Sequence, residues 1–116
     1  MKKIIALTLA SLGILTFTPQ AKADIFDANV YCEVKDIITG QLALRHETTL
    51  QPHAGLDNGN IVQAYGGSIG ENGIIWYYVN VLQGPNYRVD GKEGVVNAKY
   101  LLCDWYDFEG NYLFTE

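Results

Sequence analysis

The apolar and polar positions of this chain alternate with the two-residue period of β-strands. Short segments rich in β-branched and aromatic residues follow one another, separated by turn-forming pairs such as Asn-Gly and Asp-Gly. The segments are "NVYCEV" at 29–34, "QLALR" at 41–45, "NIVQAY" at 60–65, "IIWYYVNVL" at 74–82, "GVVNA" at 94–98 and "NYLF" at 111–114. No stretch after residue 23 has a convincing helical period. The pattern predicts an all-β sandwich or barrel.

The longest segment, 74–82, has one uniformly apolar face and one aromatic face. The residues expected on the apolar face are Ile75, Tyr77, Val79 and Val81. The residues expected on the opposite face are Ile74, Trp76, Tyr78 and Asn80. We expect the first face to pack in the core, whereas the aromatic face must be covered by another element or used for binding.

Residues 1–23 have the composition of a secretory signal peptide. Two lysines are followed by an apolar run from 4 to 17 and by the small-residue end Ala21-Lys22-Ala23. The alternative is a retained membrane anchor, but a spanning helix needs about 20 apolar residues. We therefore expect one mature domain of 93 residues, 24–116, exported to the periplasm or the extracellular space without a membrane anchor after processing.

The net charge of the domain narrows the choice of partners, and its cysteine content predicts a cross-link. Residues 24–116 hold five basic and 13 acidic residues, a net charge of −8, which disfavours nucleic acid and anionic lipid. Cys32 and Cys103 lie near the two ends of this domain without C-x-x-C spacing. In an oxidising compartment such a pair predicts a structural disulfide rather than a redox or metal pair.

The sequence contains no recognisable catalytic constellation, so we expect a protein that is not an enzyme. Thr48 and Thr49 lie near His46, but a triad also needs an oriented base and an oxyanion site. Asp104 and Asp107 flank aromatic residues, yet spacing alone does not establish an acid pair for glycoside hydrolysis.

Metal and cofactor sites are also not expected. His46, Glu47 and His53 are acceptable zinc ligands by residue type, but their spacing matches no recognised zinc motif. We therefore interpret the two histidines as solvated loop residues.

Three segments together resemble a known family. "LALR" at 42–45, "WYYVNV" at 76–81 and "GKEGVVNAKYL" at 91–101 have the order and approximate spacing of the bacterial SH3-like (SH3b) domain. The resemblance covers roughly residues 29–103 and implies a small SH3-like barrel, stapled here by the disulfide. Residues 104–116 would be an added C-terminal hairpin or strand.

The resemblance also implies roles for single residues. Gly94 would let the returning strand pass close to the strand that holds Trp76. Tyr100 and Leu101 would close one end of the barrel through a short 3₁₀ turn. The loop at 46–60 differs from the usual family pattern and would shape any ligand surface.

Five aromatic residues are candidates for ligand binding, because aromatic side chains with polar tips are favoured on recognition surfaces. They are Trp76, Tyr78, Tyr87, Trp105 and Tyr106. The alternative is that the C-terminal aromatic residues pack on Trp76 and Tyr78 as a second small core.

Two functions follow from these observations. Modules of the resembling family bind peptidoglycan or peptides, which implies an exported, non-catalytic module that recognises cell-wall peptide, peptidoglycan or an envelope protein. The alternative is a secreted inhibitor or immunity-type protein whose negative charge steers it toward a basic enzyme. Exposed edge strands permit dimerisation but do not predict it.

Overall fold

The computed structural model describes residues 24–116 as one antiparallel sheet of eight strands. The strands are β1 (Asp24–Val34), β2 (Leu42–Arg45), β3 (Pro52–Leu56), β4 (Ile61–Ile69), β5 (Ile75–Gln83), β6 (Glu93–Asn97), β7 (Leu101–Tyr106) and β8 (Tyr112–Thr115). Their order in the sheet is β3-β2-β6-β5-β4-β1-β7-β8. The prediction of an all-β fold is therefore confirmed, while the signal peptide predicted at 1–23 lies outside the described residues.

The sheet is not closed into a barrel, because β3 and β8 remain as its two edges. The central strands β1, β4 and β5 are the longest and form the most extensive pairings. Register shifts interrupt the pairing of β4 with both of its neighbours, and such bulges bend and twist a sheet. The strands thus form an open antiparallel sheet, and the predicted small barrel is not confirmed.

The apolar core lies on the inner face of this sheet. Its side chains come from seven strands and from the flanking turns, and most are β-branched or leucine, which suits a pleated surface. The largest fully buried aliphatic side chains of this core are Leu44, Leu56, Val30, Val34, Val62, Val79, Val81 and Val96. Among residues 24–116, no helix reaches the length and apolarity that a membrane-spanning helix requires.

Strand β5 has the two faces that its sequence predicts. Tyr77, Val79 and Val81 are buried, whereas Trp76 and Tyr78 are half-buried on the opposite face. The period-2 pattern therefore assigned the inner and outer sides of β5 correctly.

The predicted disulfide is present between Cys32 and Cys103. The two residues are direct register partners on the neighbouring strands β1 and β7, and both side chains are buried. The cross-link therefore joins the first and the seventh strand in the interior of the domain.

The predicted 3₁₀ turn before the last core strand spans Ala98–Tyr100. The Asn97 side chain caps it by accepting a hydrogen bond from the Lys99 backbone N–H at 2.9 Å. The Lys35 N–H donates to the Tyr100 carbonyl oxygen at 2.9 Å, which ties this turn to the end of β1.

Gly94 has a different role from the one expected. It pairs with Val79 on β5, but a Cβ atom at position 94 would lie 2.5 Å from the Arg45 carbonyl oxygen and 3.1 Å from the Leu44 side chain. The close approach is therefore made by β2 and not by the strand that holds Trp76. Glycine is needed here because a side chain would push β2 away from β6.

The C-terminal segment forms the expected additional hairpin, β7–β8. The Asp107 carboxylate organises its turn by accepting hydrogen bonds from the backbone N–H groups of Glu109 and Asn111, at 3.0 and 2.8 Å, and from the Asn111 amide at 3.0 Å. The bonds from Asn111, aided by that from Glu109, lower the pKa of the Asp107 carboxyl below its usual range. This carboxylate therefore has a structural role in the turn.

Burial of Tyr77 leads to a prediction on alkaline stability. Burial, and to a lesser degree the charge of Glu116, raises the pKa of Tyr77 from 10.0 to about 12. The neutral phenol is thus favoured in the fold, so its contribution to stability is complete below pH 10 and is lost as the pH rises towards 12. Between pH 9 and pH 11.5 we expect the wild type to lose about 2 kcal/mol more unfolding free energy than Tyr77→Phe.

Denaturant unfolding at the two pH values measures this difference. Tyr87→Phe is the matched control, because Tyr87 is exposed and its replacement should leave the wild-type pH dependence intact. Equal losses of stability in the wild type and in Tyr77→Phe would contradict the assignment.

Candidate functional site

The five aromatic binding candidates occupy separate environments. Trp76 and Tyr78 are neighbours on the outer face of β5, and Tyr106 lies on the outer face of β7. Tyr87 is exposed in a 3₁₀ turn, whereas Trp105 is buried in the core. Of the five, the structure therefore brings only Trp76 and Tyr78 together on one surface.

Trp105 is a core residue in this fold. Only 3% of it is exposed, and its indole ring packs against Phe26 and Phe114 at centroid distances of 4.9 and 5.3 Å. Its indole N–H has no hydrogen-bond partner in the described part of the chain. Trp105 therefore belongs to the core and offers no surface to a ligand in this fold.

The C-terminal aromatic residues do not cover Trp76 and Tyr78 as the alternative expected. Strands β4 and β1 separate β5 from β7 in the sheet, and β8 lies beyond β7. Trp105 instead packs inward, and the Tyr106 ring contacts the rings of Tyr31 and Tyr112. Within residues 24–116, none of these C-terminal rings stacks on Trp76 or Tyr78.

A cleft of about 340 Å³ opens beside Trp76, and we call it the Trp76 cleft. One wall is the irregular segment between β1 and β2 with the start of β2, residues 36–43. The other lining residues are Trp76, Asn97 and Tyr100 at the 3₁₀ turn, and Arg45 at the end of β2. The cleft is thus bounded by three separate parts of the fold.

The walls of the cleft offer both apolar and charged groups. Ile38 is 90% exposed, which is unusual for a large aliphatic side chain, and it lies on the same cleft as the rings of Trp76 and Tyr100. Asp36 and Arg45 add one charge of each sign. This combination suits an extended peptide-like ligand with apolar, acidic and basic groups.

Contacts with residues outside the cleft hold the 36–43 wall in place. The Asn58 side chain accepts a hydrogen bond from the Ile37 N–H and donates one to the Ile37 carbonyl oxygen, both at 3.0 Å. The Gln41 amide donates to the Asp57 carboxylate at 2.9 Å. The wall is therefore positioned before any ligand binds, which lowers the entropic cost of binding.

Two neighbours hold the Trp76 indole. The Arg45 guanidinium lies 5.9 Å from the ring centroid, in the range of a cation–π contact, and one of its N–H groups donates to the Leu50 carbonyl oxygen at 3.0 Å. In addition, a Cβ atom at Gly70 would lie 2.8 Å from the indole nitrogen. Glycine at position 70 therefore leaves room for the indole.

The aromatic face continues past the cleft to a second ring pair. Tyr78 and Tyr65 lie 6.4 Å apart on β5 and β4. Burial, followed by the charges of Glu47 and Glu93, raises the pKa of Tyr65. The surface next to the cleft is thus aromatic and acidic.

The two histidines form a pair at the β2–β3 hairpin. The rings of His46 and His53 stack with centroids 4.3 Å apart, and both residues are exposed. No group of three potential His, Cys, Asp or Glu ligands lies together within residues 24–116.

No protein-family model, no curated protein and no solved structure matches the chain.

Proposed function

We propose that this protein is an exported, non-catalytic module that binds cell-wall peptide in the Trp76 cleft. The observation that carries the proposal is one preformed cleft. It is lined by the exposed Ile38 side chain, by the rings of Trp76 and Tyr100, and by the opposite charges of Asp36 and Arg45. Such a site offers apolar contacts, stacking and charge-assisted hydrogen bonds to a short peptide.

We further propose that the fold is a variant of the SH3b barrel. The three segments that carry the resemblance fall on β2, on β5 and on β6 with the following 3₁₀ turn. In addition, β6, β5, β4, β1 and β7 are consecutive neighbours in the sheet. Strand β2, which holds the first of the three segments, pairs with β6, which holds the third, and this supports an SH3-like arrangement with open edges.

The chemistry of the cleft favours a wall peptide over a glycan alone. Peptide stems of the cell wall carry ammonium and carboxylate groups, which can pair with Asp36 and Arg45 respectively. Arg45 has five N–H donors, and its hydrogen bond to the Leu50 carbonyl oxygen uses only one of its nitrogens. Donors on the other nitrogens can therefore bind a ligand carboxylate. The disulfide supports an exported location, since such bonds persist in oxidising compartments.

Retention on isolated, protein-free peptidoglycan tests this function. We expect the wild type to be retained and Trp76→Ala to lose about tenfold or more of its affinity, as is typical of a central aromatic residue. Tyr87→Ala is the matched control, because it removes an exposed aromatic residue outside the cleft and should bind like the wild type.

Thermal unfolding of both variants establishes that they remain folded at the assay temperature. Free passage of the wild type, or equal retention of the wild type and Trp76→Ala, would rule out wall-peptide binding by this cleft.

A further inference from the structure

A second aromatic surface crosses the other end of the sheet. The rings of Tyr31 on β1, Tyr106 on β7 and Tyr112 on β8 form a row with centroid distances of 6.2 and 5.9 Å. Tyr31 and Tyr112 are 39% and 58% exposed. We call the outer surface of β1, β7 and β8 around these three rings the tyrosine face.

Hydrogen bonds fix the side chains at the edge of this surface. The Thr115 hydroxyl donates to the Asp104 carboxylate at 2.6 Å, and the Tyr112 hydroxyl lies 2.7 Å from the Thr115 hydroxyl oxygen. Because Thr115 has a single hydroxyl proton, Tyr112 is the donor to Thr115. The Tyr112 ring is thus held in one orientation, with a carboxylate at the end of the hydrogen-bonded chain.

The segments that contain the three strands of the tyrosine face carry charged residues of one sign only. Residues 24–34 and 101–116, which contain β1, β7 and β8, hold seven of the 13 acidic residues and no lysine, arginine or histidine. All five basic residues of 24–116 lie in the intervening segment 35–100. The electrostatic potential of this end of the molecule is therefore negative, and it favours positively charged partners.

Exposed aliphatic side chains complete the surface. Leu102 and Leu113 are 43% and 46% exposed on β7 and β8. Ordered aromatic rings with aliphatic neighbours and a polar border are typical of protein interfaces, in which tyrosine is enriched.

We propose that the tyrosine face docks a protein partner with a basic surface, whose arginine or lysine side chains lie on the tyrosine rings. A cation on an aromatic ring is stabilised by the ring and here also by the surrounding carboxylates. This surface is formed by β1, β7 and β8, whereas the Trp76 cleft is formed by β5 and segment 36–43, so the inference does not depend on the proposed function. The tyrosine face is the kind of surface that an inhibitor of a basic enzyme would need.

A titration with hexa-arginine as the probe of a basic surface tests this proposal. With the ¹⁵N-labelled protein at low salt, we expect amide shifts concentrated on β1, β7 and β8 and weaker binding at high salt. The double variant Tyr31→Ala/Tyr112→Ala keeps all carboxylates, and we expect it to bind the probe at least fivefold more weakly. Tyr87→Ala is the matched control and should bind like the wild type.

Two results would overturn the proposal. One is a set of shifts spread equally over acidic residues elsewhere, such as Glu71 and Asp90. The other is unchanged affinity of the double variant when its amide spectrum shows an intact fold, since binding would then depend on charge alone.

Discussion

Replacement of Cys32 and Cys103 together by alanine is expected to lower the free energy of unfolding by about 4 kcal/mol. The disulfide closes a loop with a sequence separation of 71 residues, so it removes much conformational freedom from the unfolded chain. Both cysteines are buried, and alanine places no new polar group in the core. The loss is a large fraction of the 5–15 kcal/mol that is typical of small domains.

Urea unfolding of the wild type and the double variant measures the effect. Reductant should destabilise the wild type by a similar amount and should leave the double variant unchanged, because that variant has no disulfide to reduce. A loss below about 1 kcal/mol would mean that the cross-link contributes little to the stability of this fold.

Trp105→Ala is expected to cost about 3–5 kcal/mol of unfolding free energy, since it opens a large cavity in the core. The residue packs between Phe26 and Phe114 and thereby joins β1, β7 and β8. Trp105→Phe should cost much less, because the indole N–H has no hydrogen-bond partner in the described residues and the replacement breaks no such bond.

Tyr106→Ala is the matched control for this prediction, since it removes the neighbouring aromatic ring from the outer face of the same strand. Denaturant unfolding should show a smaller loss for Tyr106→Ala than for Trp105→Ala. Wild-type stability in Trp105→Ala would instead indicate a side chain that is free to meet a ligand.

The two faces of β5 could be predicted because the signal is local. A strand alternates its side chains strictly, and 74–82 carries apolar residues at every second position. The disulfide could also be predicted, since the domain has only two cysteines. The β7–β8 hairpin follows from the turn residues Glu109-Gly110-Asn111 in the same way.

The sequence does carry a signal for the position of Trp105. Cys103 must face the core if it forms a disulfide with Cys32, and Trp105 lies two residues further along the same strand. Alternation therefore places Trp105 inside and Tyr106 outside. The same reasoning places Tyr31, next to Cys32, on the outer face.

The Trp76 cleft could not be predicted from local patterns. Segment 36–41 has no period, and its position depends on hydrogen bonds between Ile37 and Asn58, which are 21 residues apart. The exposure of Ile38 depends on these long-range contacts. The openness of the sheet is also a long-range property, because it depends on where β3 and β8 pair and not on the residues of any one strand.

Titration of the ¹⁵N-labelled protein with soluble, purified wall peptides tests most directly whether the Trp76 cleft binds cell-wall peptide, as we propose. We predict saturable shifts of the Trp76 indole N–H and of the backbone amides of residues 36–43, 97 and 100. The tyrosine face should remain unperturbed in the same spectra. An unchanged spectrum at millimolar peptide, or shifts confined to surfaces outside the cleft, would contradict binding of wall peptide in this cleft.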